Sequence, residues 1–119
     1  MTEQECDKVL EAAAEAGVIL LRCGAEVRRV EDTVKRICNA YGMQVQNQVF
    51  SLTNAVMISF DDAEADIHLS RIIEVPIETM RLNQLVHVNQ ISRDIASGKY
   101  SIDEALEKIR AVGEEKDTP

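Results

Sequence analysis

The densest patch of chemistry-bearing residues is the stretch Gly24-Ala25-Glu26-Val27-Arg28-Arg29-Val30-Glu31-Asp32-Thr33. Residues three and four apart share a helix face, so Glu26, Arg29 and Asp32/Thr33 come together over successive turns beside a glycine corner. Two uses follow from such a grouping. A buried Glu–Arg network would lock the corner. Alternatively, the forked guanidinium of Arg29 would take the carboxylate of an anionic or zwitterionic ligand. The residues alone rank the structural network first.

Other reactive side chains carry weaker patterns. Asp61, Asp62, Glu64 and Asp66 are oxygen donors suited to Ca²⁺ or Mg²⁺, but the run lacks the EF-hand spacing and its closing glutamate, so it reads as a solvated turn. His68, two residues on, reads as an exposed strand histidine rather than a base or ligand, and His87 as one on the outer side of a helix. Cys6, Cys23 and Cys38 are an odd number with no C-x-x-C spacing. Each falls in an apolar helical stripe, so all three are expected to be reduced and buried, in a reducing compartment. No G-x-S-x-G elbow, phosphate-binding loop, dinucleotide fingerprint or H-E-x-x-H pair occurs.

The elements that must position these residues follow from periodicity. Thr2 and Glu5 form a capping box, and Cys6, Val9, Leu10, Ala13, Ala16, Gly17, Leu20 and Cys23 recur at steps of three and four. This predicts a first helix closed by Gly24, whose small residues Ala12, Ala13, Ala14, Ala16 and Gly17 admit another backbone. A second helix spans about Glu26 to Tyr41, with Val27, Val30, Val34, Ile37, Cys38 and Tyr41 inward. Its outer face pairs Arg28 with Asp32, Glu31 with Lys35 and Asp32 with Arg36.

The period then changes to two. Met43, Val45 and Val49 alternate with Gln44, Gln46 and Gln48, and a bulge at Val49-Phe50 is expected to turn Phe50 and Leu52 inward. Thr53-Asn54 predicts a hairpin turn, followed by Val56, Ile58 and Phe60 facing one way. After a turn at Asp61 to Glu64, a third strand carries Ile67, Leu69 and Ile73 inward. The outer face, with Gln44, Gln46, Gln48, Ser59, His68 and Ser70, is expected to meet water. Pro76 opens a long helix containing Met80, Leu82, Leu85, Val86, Val88, Ile91 and Ile95. A last helix starts at the capping box Ser101-x-x-Glu104, with Tyr100 and Ala105 as its staple.

The expected architecture is therefore α+β: two helices, a three-stranded mostly antiparallel sheet, then two helices, the helices packed on one sheet face. Residues 1–113 form the expected single domain, with 114–119 as linker or tail. At 119 residues, 45% of them apolar, the chain is long enough to fold without a metal or disulfide staple. A net charge of −8, from 13 basic and 21 acidic residues, argues against nucleic acid and anionic lipid as partners. The acidic opening is unlike a signal peptide, and the apolar run Val18 to Leu21 is far shorter than the ~20 residues of a membrane span.

Three segments resemble the bacterial threonine/serine exporter family: Leu20-Leu21-Arg22-Cys23-Gly24-Ala25-Glu26-Val27-Arg28-Arg29-Val30-Glu31-Asp32-Thr33, the run from Arg81 to Ser92, and the run from Gly98 to Ala105. They occur in the family's order between about Val9 and Val112. The resemblance implies the family's soluble amino-terminal domain, which precedes a bundle of membrane helices, either excised or as one subunit of a split system. It implies export of threonine, serine or a related small carboxylate, coupled to the proton-motive force, with this domain acting in gating, assembly or substrate capture. The alternative is a hydrolase-like or metabolite-sensing domain attached to the transporter.

Transferred by position, the family pattern marks Gly24 and Ala25 and gives Glu26, Arg29, Glu31, Asp32, Arg71 and Asn89 as candidate binding or interface residues. No catalytic residue, metal ligand or cofactor is assigned. Relatives often show Pro-Thr or Thr-Gly in the strand turn where this chain has Leu52-Thr53-Asn54. The implied partners are the membrane-spanning half and a small amino acid or carboxylate, with no nucleic acid; self-association is left open. The implied location is the cytosolic face of the inner membrane.

Overall fold

Helix α1 (Glu3–Arg22) begins as its sequence dictates: the Thr2 side chain accepts from the Glu5 N–H at 3.1 Å and Glu5 returns the bond to the Thr2 N–H. It ends at a left-handed Gly24 with φ 79°. There the Ala25 N–H reaches back to the Leu20 carbonyl at 3.0 Å, closing the helix and turning the chain sharply into α2 (Val27–Ala40). A computed structural model describes residues 2–45, 49–52, 54–74 and 82–114. Its remaining elements are β1 (Val49–Leu52), β2 (Ala55–Asp62), β3 (Ile67–Glu74), α3 (Leu82–Ala96) and α4 (Ile102–Gly113). Expectations for Gln46, Gln48, Thr53, Pro76, Met80 and residues 115–119 lie outside the described residues.

The three strands form one antiparallel sheet in the order β1-β2-β3. Val49, Ser51, Val56, Ile58, Phe60 and Ile67 are buried toward the helices, with Leu69, Arg71 and Ile73 half-buried on the same face. Helix α1 is the axis of the domain and packs against α2, α3, α4, β2 and β3. That position explains why it is buried almost all round, including Ala12, Ala14, Ile19 and Leu21 beyond the expected stripe. All three cysteines are buried, and burial pushes the Cys38 thiol up to about 12. Helix α4 opens on the Ser101/Glu104 capping box, and Tyr41 donates to the Tyr100 carbonyl at 3.1 Å to hold the preceding turn. Among the described residues no helix is long and apolar enough to cross a membrane.

The α+β architecture agrees with the sequence, but four local expectations do not. Residues 43–45 are not strand, although Met43 and Val45 are buried; β1 starts only at Val49. No bulge interrupts the register from Val49↔Ile58 to Leu52↔Ala55, so Phe50 points outward and Ser51 takes the inner position. The outer sheet face is consequently less polar than expected. Val27 is exposed because, as the first helical residue, it sits on the solvent side of the corner. On α3, where the sequence assigned no face to Val86, that residue is exposed because the inner stripe runs through Gln84, Val88, Ser92 and Ile95.

Candidate functional site

Helix α2 presents Arg29, Asp32, Thr33 and Arg36 at offsets of three, four and seven, a single stripe along its side. Helix α3 lies against that stripe and contributes Asn89 and Arg93, four residues apart. The six side chains line one cleft of about 220 Å³. Arg36 is anchored across it, donating to the hydroxyl of buried Ser92 at 3.2 Å. Among the described residues Arg29 and Arg93 have no ion-pair partner and both are exposed. Three guanidinium groups against the single carboxylate of Asp32 make a cationic recess on an acidic chain. Forked donors at its rim suit carboxylate or phosphate, while Asp32 offers an acceptor for an ammonium group. Thr33 and Asn89 add neutral hydrogen-bonding groups to the lining.

The six candidates therefore divide. Arg29, Asp32 and Asn89 meet in this cleft; the other three serve elsewhere. Glu26 is the exposed N-cap of α2 and makes no side-chain cap bond. Glu31 points to the sheet, where its Oε2 accepts from the Ser51 N–H of edge strand β1 at 3.0 Å. Arg71 lies on the helix-facing side of β3 and donates to Asp7 of α1 at 2.8 Å, tying the sheet to the start of α1. The expected i,i+4 pairs of α2 are not formed: among the described residues no ion pair joins Arg28 to Asp32, Glu31 to Lys35 or Asp32 to Arg36. Arg36 bonds Ser92 and Glu31 bonds the strand, so tertiary partners displace the local ones. Arg36 and Arg93 were missed as candidates. The signal for Arg36 was its distance of seven from Arg29; for Arg93 it was the spacing of four from Asn89.

The acidic turn after β2 is occupied with its own geometry. Asp62 Oδ1 accepts from the N–H groups of Glu64 and Ala65 at 3.1 and 3.2 Å, an Asx-type turn. His68 has two carboxylate partners where the sequence suggested none, Nδ1 at 2.8 Å from Asp61 and Nε2 at 3.1 Å from Asp66. The bond to Asp61 and then that to Asp66 raise the His68 pKa above the ordinary histidine value. Folding thus favours protonated His68. Its contribution is fully present below about pH 6.5 and is lost as pH rises through the raised value. NMR titration of the His68 ring should show a midpoint above that of a free histidine, and Asp61→Asn should move it down; an unchanged midpoint would refute the clamp. Among the described residues no group of three or more His, Cys, Asp or Glu side chains is arranged to hold a metal ion.

A larger recess of about 430 Å³ lies between α1, α4 and β3, lined in part by Val18, Ile19, Ile73 and Ile109. Its cations are Arg110, held by Glu11 and Glu15 of α1, and Arg22, whose Nη2 donates to the Gly113 carbonyl at 3.4 Å and whose buried Nε has no partner among the described residues. The α2–α3 cleft instead gathers three guanidinium groups against one carboxylate. No curated protein and no solved structure matches the chain. The model of the threonine/serine exporter family, ThrE, matches residues 11–119, a span that takes in the corner, both cleft helices and the sheet, and the chain belongs to that family.

Proposed function

We propose that residues 1–113 act as the soluble domain of a threonine/serine exporter at the cytosolic face of the inner membrane, and that the domain captures the solute before transport. The observation that carries this reading is the cleft in which Arg29, Arg36 and Arg93 face Asp32, Thr33 and Asn89. An amino acid presents a carboxylate and an ammonium group on one carbon, and the cleft lines guanidinium donors and a carboxylate acceptor together. The hydroxyl of threonine or serine would be met by Thr33 or Asn89. The excess of guanidinium over carboxylate also accommodates a related small carboxylate. Substrate capture is favoured over a purely structural role because Arg29 and Arg93 are exposed and, among the described residues, unpaired.

Calorimetric titration with three ligands tests this reading. L-Threonine should bind, and L-threonine amide, which lacks the carboxylate, should lose most of the affinity. 3-Hydroxybutyrate, which lacks the ammonium group, should bind Asp32→Asn at least as well as it binds the parent chain. Equal affinity for threonine and its amide, or no heat with any of the three, would reject solute capture.

A further inference from the structure

The outer face of the sheet carries a row that the α2–α3 cleft does not explain. The strand register sets Phe50 opposite Met57 and Met57 opposite Ile72, one residue from each strand. These three side chains are 59%, 39% and 63% exposed. Directly opposed residues have Cβ atoms about 4.5–5.5 Å apart, so the row is a continuous apolar stripe across the whole sheet. Water-facing sheets of monomeric proteins normally alternate to polar residues on this side.

The charges around the stripe are predominantly acidic, with His68 held between Asp61 and Asp66 as the one imidazole among them. The described outer-face residues of β2 and β3 are Ala55, Met57, Ser59, Asp61, His68, Ser70, Ile72 and Glu74, and the adjoining turn adds Glu64 and Asp66. No lysine or arginine is among them. A second copy of the chain would set this acidic rim against itself, with no lysine or arginine on it to compensate. Anionic headgroups would be repelled by the same rim and by the net charge of −8. A partner that fits must bring apolar side chains flanked by Lys or Arg. Membrane proteins concentrate Lys and Arg in their cytosolic loops.

We infer that the Phe50–Met57–Ile72 stripe is the docking surface for a Lys/Arg-bearing cytosolic segment of the exporter's membrane-spanning part. This rests on the proposed placement of the domain beside that part. The stripe supplies affinity, and the acidic rim supplies orientation and encounter rate. The cleft belongs to the helix layer and the stripe to the opposite face of the sheet, so the docked domain keeps its solute site open.

Flotation of the chain with vesicles provides the test. The vesicles are of phosphatidylcholine, of phosphatidylcholine with phosphatidylglycerol, and of each composition carrying the reconstituted membrane-spanning part of the exporter. The chain should float only where that part is present, and less so at high salt. Ile72→Glu and Phe50→Glu should each cut the bound fraction about tenfold, with melting temperature and threonine binding unchanged. Threonine binding by these variants separates failure of docking from failure of solute capture. Flotation with bare phosphatidylglycerol vesicles would assign the face to lipid. A dimer in solution that Ile72→Glu dissociates would assign it to a second copy. Either result overturns the inference, as would full binding by both variants or no flotation of the parent chain.

Discussion

Gly17→Leu is expected to lower the melting temperature of the domain by about 10 °C or more. Gly17 sits in the middle of α1, where that helix passes between α2 and β2. A Cβ placed there would already stand 3.1 Å from a Val34 methyl, 3.2 Å from a Val56 methyl and 3.4 Å from a Val30 methyl. Three β-branched residues surround it, and their stiff χ1 angles leave them little room to yield. The further carbons of leucine have no space without moving α1 off the sheet. Overpacking of this kind costs about 1–3 kcal/mol and occasionally more, against a total stability of about 5–15 kcal/mol for a domain. Gly17→Ala separates packing from helix propensity. Alanine gains about 1 kcal/mol in a helix interior, which offsets a displacement of a few tenths of an ångström by the valines. The alanine variant should therefore melt close to the parent. Thermal denaturation followed by circular dichroism reads both variants; a leucine variant as stable as the parent would mean that α1 does not approach α2 and β2 this closely.

The small-residue face behind that prediction was legible in the sequence, as were the two capping boxes, the Gly24 corner and the order of elements. Each is a local signal: a cap needs residues three apart, and an amphipathic stripe needs only its period. The errors lie where tertiary context decided the outcome. Val49-Phe50 looked like a change of phase because two apolar residues are adjacent. The inner position in fact goes to Ser51, whose N–H is taken by Glu31 of α2. The phenylalanine then joins an exposed row that only the strand register reveals. On α3, Val86 counts toward the helix on hydrophobicity alone, whereas the buried stripe includes Gln84 and Ser92. A polar inner stripe cannot be recognised by an apolar period, and Ser92 is the residue that anchors Arg36 in the cleft.

The site was half legible for the same reason. Arg29, Asp32 and Asn89 came from the motif and the family pattern, but their meeting required α3 to pack beside α2, a contact between residues more than 50 positions apart, as in the Arg36–Ser92 bond. Glu31 and Arg71 look equivalent to them in sequence. Their placement toward the strand and toward Asp7 is decided by which way each helix or strand face is turned in the assembled domain.

Arg29→Ala is expected to abolish most solute binding and export while leaving the fold intact. If Arg29 belonged to a buried pair, its removal would cost about 3–5 kcal/mol by stranding a carboxylate. The structure offers no such carboxylate among the described residues, and the side chain is exposed, so the stability change should stay within about 0.5 kcal/mol. Hydrogen bonds to charged groups are worth about 1.5–3 kcal/mol, so losing the forked donor should weaken threonine binding by about ten- to a hundredfold. Arg29→Lys keeps the charge but not the fork, and should recover only part of that affinity. Arg36→Ala is the informative contrast. It removes a cleft cation and also its bond to buried Ser92, so it should weaken binding and lower the melting temperature together. Calorimetry and thermal melts on the three variants, with export measured in the full-length transporter carrying each, read out both quantities. Arg29→Ala that melts early would make the residue a structural strut; Arg29→Ala that melts, binds and exports like the parent would remove the α2–α3 cleft from the transport cycle.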